Sequence, residues 1–261
     1  ESTKVDHVEF TEDMFHVYCG SKKYSARVAC GAFGKRSNLD VKLKRDFVQK
    51  KPGKLNNYIA VKYHIRANLP SDQIALHNFE NGYCGISQIE DNKYCLCYMT
   101  TAANLKNCDN QIAQLEKNIV RQNPFLNSVF EEAVFLFDAP VTIAQISFDK
   151  KAVIENHMLM TGDAAGMVTP LCGNGMSMAM HGSKIAYLEI SRYLRGRITR
   201  PEMESSYQAT WNKTFQPRMI AGRSIQKLFG KRRVTDTFLR TMKMLPGVAT
   251  SLIKKTHGRT F

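Results

Sequence analysis

The run from His157 to Leu194, HMLMTGDAAGMVTPLCGNGMSMAMHGSKIAYLEISRYL, constrains the fold of this chain more than any other stretch. Met158 to Met160 read as a strand. Four glycines and a proline follow (Gly162, Gly166, Pro170, Gly173, Gly175), which stop either regular element from continuing. Helical periodicity then starts near Asn174 and Gly175. A strand that enters such a loop and leaves on a helix brings free backbone N–H groups and the helix's unpaired first-turn donors to one place, suited to an electron-rich carbonyl or an anionic ring. Asp163 sits at the strand's end, where a carboxylate can accept hydrogen bonds from sugar-like hydroxyls. Read alone, GDAAG also fits a tight turn with Asp163 as a surface cap. The full spacing GD-x(6)-P-x(2)-GxG at the head of an amphipathic helix is far more specific.

Upstream, period-two patterning dominates. Val5, Val8 and Phe10, then Phe15, Val17 and Cys19, then Tyr24, Ala26, Val28 and Cys30 predict a three-stranded meander, with Gly20 to Lys23 as the second hairpin turn. The meander ends in Gly31-Ala32-Phe33-Gly34-Lys35-Arg36-Ser37, a loop whose backbone can approach something closely. A basic loop containing Pro52 and Gly53 is expected between Lys44 and Lys54. Four antiparallel strands are predicted at Tyr58–Arg66, Gln73–Phe79, Tyr83–Ile89 and Lys93–Thr100, able to wall a pocket. Ile112, Leu115, Ile119 and Val120 mark a helix from about Asp109, and Pro124–Glu132 a second. Phe135–Phe137 and Val141–Phe148 return to strand.

These patterns predict an α+β chain. Its expected parts are a strand meander over 1–56, an antiparallel block over 57–148, the glycine-loop segment over 149–200 and a basic helical region over 201–261. Hydrophobic residues at 43% and charged ones at 23% exclude a disordered chain. No apolar run reaches the ~18 residues needed to cross a bilayer. Seven cysteines, an odd number in strand-like surroundings, speak against a secreted disulfide framework and for a reducing cytoplasm. Cys95 and Cys97 share a strand face but lack the partners of a closed zinc site, so no metal site is expected. The formal charge of +14 is concentrated late: Pro217 to Phe261 holds eleven Lys and Arg against Asp236 alone.

Gly162-Asp163-Ala164-Ala165, Pro170 and Gly173-Asn174-Gly175-Met176 together closely resemble the second flavin fingerprint of the para-hydroxybenzoate hydroxylase-like FAD superfamily, which includes geranylgeranyl reductases, flavin halogenases and aromatic-ring monooxygenases. The resemblance implies that Asp163 binds the ribityl chain of FAD and that Gly173 to Met176 face the pyrimidine side of the isoalloxazine. A helix N-terminus there would stabilise negative charge on the reduced ring. The loop Gly31–Ser37 lies where the family has its middle motif, an Asp-Gly pair followed by a serine. Gly34 and Ser37 agree with that pattern, whereas Phe33 stands at the aspartate position. The family's first fingerprint, GxGxxG, is absent from Glu1 to Asn56, and the resemblance implies that a βαβ unit and crossover of roughly a hundred residues precede Glu1. The same resemblance implies that 1–56 and 149–200 build a cofactor domain and 57–148 a substrate domain.

The implied function is an FAD-dependent oxidoreductase, a monooxygenase or a reductase, acting on a hydrophobic or aromatic small molecule with NAD(P)H as donor. The rival reading is a flavin-free remnant or interaction module. The halogenase WxWxIP signature is not recognisable. Tyr83-Cys84-Gly85-Ile86-Ser87 reads as a core strand, with Tyr83 and Gln88 as pocket candidates. His181, in a methionine-rich helix, reads as a packed residue ahead of an acid–base one, and no other catalytic set emerges. The basic C-terminal helices read as a solvated face or as a peripheral contact with anionic lipid; nothing indicates nucleic-acid binding.

Overall fold

The computed structural model describes residues 2–49 and 56–257. The chain is α+β and divides into two compact units: Glu1–Lys51 with Phe148–Arg223 and Thr250–Phe261, and Pro52–Ser147 with Ser224–Ala249.

In the first unit, β1 (His7–Thr11), β2 (Met14–Cys19) and β3 (Lys22–Ala26) form an antiparallel meander. Both turns are two-residue loops: Glu12-Asp13, with φ of 52° and 58°, and Gly20-Ser21, with Gly20 at 60°. Positive φ at these positions matches the twist of the flanking strands. The second turn is therefore shorter than the expected Gly20–Lys23, and Lys22 and Lys23 belong to β3. The third strand also stops at Ala26 instead of running to Cys30. Arg200 donates to the carbonyl of Arg27 at 2.7 Å, and the chain leaves the meander there. Cys30–Gly31 forms a separate strand, β4, in another sheet.

Ser37 starts α1 (Asn38–Lys42) with a capping box: its Oγ accepts from the N–H of Leu39, and the Asp40 carboxylate accepts from the N–H of Ser37 at 2.6 Å. A short helix, α2 (Asp46–Gln49), occupies part of the expected basic loop. Arg45, just ahead of it, is 1% exposed and belongs to the interior. The other part of that loop, with Pro52 and Gly53, lies outside the described residues.

The second unit is built on β5 (Asn56–Arg66), β6 (Ile74–Phe79), β7 (Gly82–Gln88) and β8 (Tyr94–Thr101). α3 (Ala102–Lys106), α4 (Ile112–Asn118), α5 (Pro124–Glu132), the short β9 (Val134–Phe135) and β10 (Val141–Ser147) follow. The sheet runs β10-β5-β8-β7-β6, with β9 also pairing β5. One face carries Tyr94, Leu96 and Tyr98, packed with Leu115, Val120 and Leu126 from the helical segment. Tyr63 and Tyr98 both donate to Glu116 of α4 at 2.8 Å, which pins that helix to the sheet. Positive φ at Asp109 and Asn110 delays α4 to Ile112, and the strand expected at Phe135–Phe137 is only β9.

The chain returns to the first unit through β11 (Ile154–Glu155) and β12 (Met158–Met160), an antiparallel pair turning at Asn156-His157. β12 is fully buried and pairs in parallel with β4. After the glycine-rich loop come α6 (Gly175–Leu194) and α7 (Arg200–Gln226), the latter with Pro217 inside it. Tyr207, Trp211, Phe215 and Met219 of α7 join β12 and the loop in one core, and Tyr207 donates to the carbonyl of Met160. Gly222 lets α7 close on the loop, since a Cβ there would stand 2.8 Å from Thr169 Oγ1 and 3.0 Å from Cys172 Sγ. α8 (Arg232–Met244) and α9 (Pro246–His257) complete the described chain. The described part of the basic region expected over 201–261 is mostly helical, in α7, α8 and α9, and its residues divide between the two units. Among the described residues, no helix is long and apolar enough to cross a membrane.

Candidate functional site

The glycine-rich loop leaves a cavity of about 560 Å³ in the first unit, between the turn at 161–176 and the Ala32–Gly34 loop. Gly162, Asp163, Pro170, Gly173, Asn174, Gly175 and Met176, scattered over fifteen positions in sequence, all line it. Gly34 and Gly173, at φ of 80° and 66°, hold its two rims, and an added Cβ at either would meet nothing within 4 Å. Glycine at these rims answers a backbone requirement and leaves the approach open.

One end of the cavity is the N-terminus of the twenty-residue α6. Asn174 is its N-cap residue but makes no side-chain capping bond; its Nδ2 donates instead to the carbonyl of Thr256 at 2.6 Å. The first-turn N–H groups of α6 are thus left to a partner from outside the helix, where the helix dipole favours an electron-rich atom.

Asp163 supplies the cavity's carboxylate. It stands in a one-turn 3-10 segment, Gly162–Ala164, that Gly162 enables at φ of 56°. Its main-chain carbonyl is hydrogen-bonded, but its carboxylate makes no hydrogen bond among the described residues. Burial raises its pKa, and the ammonium of Lys151 partly opposes that rise. A half-buried carboxylate lacking an internal donor, beside open space, is disposed to accept a hydroxyl.

Behind this wall lies a polar lattice that sequence patterning did not reveal. Lys151, 5% exposed, donates from Nζ to the carbonyl of Lys35 at 2.7 Å and to that of Asp163 at 2.8 Å, with the Phe47 ring centroid 4.5 Å away. Arg45 donates to Asp40 at 2.8 Å, Glu155 at 3.2 Å, and the carbonyls of Ala152 and Ala164 at 2.7 and 3.0 Å. Burial lowers the Lys151 pKa to about 8; Asp40 and Asp163 favour its charge, while Arg45 and Lys35 oppose it. In sequence these cations belong to Lys-Arg and Lys-Lys runs that look like solvated surface. The one local signal was Ser37 with Asp40 three residues on, a capping box that placed Asp40 but not its partner.

Other sequence candidates fall elsewhere. Phe33 lines a separate cavity of about 410 Å³ with Cys30, Leu39 and Met158, while its neighbours Ala32 and Gly34 face the first cavity. Tyr83 is buried in the second unit against Phe229, and Gln88 donates to Asn92 at the surface. His181 stacks edge-on against Phe215 of α7, and its pKa is lowered by burial and then by Arg218 and Lys184. All seven cysteines are free; burial pushes Cys97 up to about 11. Among the described residues, no three His, Cys, Asp or Glu side chains cluster as metal ligands would.

No protein-family model matches the chain. Conditioned medium factor receptor 1 of Dictyostelium discoideum is 25% identical over 272 residues, covering 99% of this chain and 50% of that protein. An uncharacterized protein of Methanocaldococcus jannaschii is 29% identical over 125 residues, 48% of this chain and 30% of that one. The chain therefore spans half or less of the length of these relatives. Among solved structures, the flavin-dependent brominase Bmp2 superimposes with a TM-score of 0.76 at 17% identity, over 98% of this chain and 64% of that one. The flavin-dependent halogenase CmlS gives 0.69 at 17%, over 84% and 41%. PqsL of Pseudomonas aeruginosa, a probable FAD-dependent monooxygenase, gives 0.63 at 14%, over 91% and 66%. At these identities the similarities establish a shared fold, that of FAD-binding halogenases and monooxygenases.

Proposed function

We propose that this chain forms the ribityl- and pyrimidine-facing half of an FAD site in an oxidoreductase, a monooxygenase or a geranylgeranyl reductase-like enzyme acting on a hydrophobic or aromatic small molecule. One observation carries the reading: the seven fingerprint residues converge on one cavity that offers a carboxylate without an internal donor and uncapped helix N–H groups. The fold shared with flavin-dependent enzymes supports it. Asp163 would accept from a ribityl hydroxyl, and the first turn of α6, entered through Gly173 and Gly175, would donate to the ring's carbonyl edge. Bound FAD would supply transfer of reducing equivalents from a donor such as NAD(P)H to oxygen or to an alkene. The protein's part is to orient the cofactor and to stabilise charge on it.

Titration of the protein with FAD, followed by flavin fluorescence and visible absorbance, tests the reading. Saturable binding weakened by Asp163→Ala is expected; unchanged affinity in that variant removes the ribityl contact. No binding by the complete protein favours the flavin-free module, a reading that draws on Phe33 in place of a carboxylate in the middle loop.

The membrane-surface contact draws on α8 and the start of α9, where Met244, Leu245 and Val248 are exposed beside Arg240 and Lys243. Such a mixture suits anionic lipid. Co-sedimentation with phosphatidylserine vesicles but not with phosphatidylcholine vesicles is the expected outcome.

A further inference from the structure

We propose that Lys151 is a positioning residue for the cavity: its ammonium ties the carbonyl of Lys35 to that of Asp163, and so fixes the spacing of the two loops that face each other across the site. Its flavin consequence rests on the function proposed above; the loop geometry does not.

The placement is unusual for a lysine. The side chain is 5% exposed, and among the described residues its Nζ bonds no carboxylate; both named partners are main-chain oxygens from segments more than a hundred residues apart. Of its three N–H donors, two meet those carbonyls, and the Phe47 ring covers the ammonium. Asp40 and Asp163 face it with negative charge, and Arg45 and Lys35 with positive charge, so no single ion pair accounts for its burial.

Lys151 is absent from the lining of the large cavity, whereas Asp163, whose carbonyl it holds, and Gly34, the neighbour of Lys35, are part of that lining. It therefore acts through the main chain and not on a ligand. Holding the Asp163 carbonyl on Nζ leaves the carboxylate as that residue's open acceptor. Arg45 holds the next carbonyl, that of Ala164, so successive peptide groups of the turn are gripped by two buried cations. A hydrogen bond from a cation is stronger than a neutral one, which suits a loop whose own bonds are few: Ala165 and Gly166 donate to Gly162, at 3.0 and 3.3 Å.

Lys151 also lines a small separate cavity of about 120 Å³ with Trp211, Asn212 and Arg223. Removing the side chain would extend that cavity toward the two carbonyls, so a small cation that donates hydrogen bonds should be able to replace the ammonium.

The test uses the full chain and two readouts, amide hydrogen exchange without cofactor and the FAD dissociation constant. In Lys151→Ala, protection of the Ala165 and Gly166 amides should fall by about tenfold or more, the scale of one charge-assisted hydrogen bond, while β5 and β8 keep theirs. Methylammonium should restore that protection; tetramethylammonium, which has no N–H, should not. FAD affinity should fall and recover in parallel. Unchanged protection overturns the proposal, as does a loss spread evenly over both units that methylammonium does not reverse. If Lys151→Ala does not fold, Lys151→Met, of similar length and without a donor, must show the same local loss. If the native chain binds no FAD while the exchange results hold, the flavin reading fails and the positioning role stands.

Discussion

Replacing Arg45 with methionine removes the centre of the buried lattice behind the cavity. Arg45 and Asp40 side chains are each 1% exposed, and their bond is 2.8 Å long. Breaking a buried pair from one side costs about 3–5 kcal/mol, because the surviving charge is left dry and unpaired. Part of the Asp40 carboxylate remains occupied by the Ser37 N–H, which places the loss toward the lower end of that range. The carbonyls of Ala152 and Ala164 also lose their donor, which pushes it back up. With a urea dependence of about 2 kcal/mol per molar, a loss of 3–5 kcal/mol lowers the unfolding midpoint by about 1.5–2.5 M. Trp211, the only tryptophan, is 3% exposed in the first unit, so its fluorescence reports that unit alone. The double variant Arg45→Met/Asp40→Asn should recover part of the loss, since the stranded charge is gone. A midpoint shift below about 0.5 M for Arg45→Met, or strict additivity in the double variant, would refute the reasoning.

Gly222→Ala forces a methyl against Thr169 and Cys172, two short buried side chains that cannot swing clear; a loss of about 1–3 kcal/mol by urea denaturation is expected, along with weaker FAD binding. Gly173→Ala meets no atom but strains a backbone at φ of 66°, so it should cost about 1 kcal/mol, and Gly173→Asn less, in the same assay. For Lys151 the folded pKa, about 8, lies below the ordinary 10.5, so burying its charge penalises the fold fully below pH 8 and progressively less as pH rises toward 10.5. Relative to Lys151→Met, the native protein should thus gain stability across that window, by up to about 3 kcal/mol before discounting for relaxation; a flat difference between the two would contradict it.

Two kinds of structure were legible from local order. The alternation in Tyr58–Arg66 and Lys93–Thr100, and the glycine–proline punctuation after Met160, announced strands, a loop and a helix close to where they stand, because each depends on neighbours one to four positions away. The spacing GD-x(6)-P-x(2)-GxG likewise rests on five residues, Gly162, Asp163, Pro170, Gly173 and Gly175, that the fold gathers on one cavity. Failures came where a distant group intervened. Tyr24 to Cys30 looked like one strand, but past Ala26 the Arg27 carbonyl accepts from Arg200, far along the chain, and Cys30 pairs in another sheet. The pairing of β5 with β8 instead of with its successor β6 also depends on the whole sheet. Arg45 and Lys151 carried no local mark of burial, since a lysine or arginine among other charges is patterned as surface; their interior place is decided by carbonyls of Lys35, Ala152, Asp163 and Ala164 that only the tertiary fold brings together. Sequence alone thus determined which backbone segment forms the cavity wall, through glycine freedom and helix start signals that act locally. The tertiary structure alone decided what holds that wall in place, because a buried cation is stable only where several remote acceptors meet it.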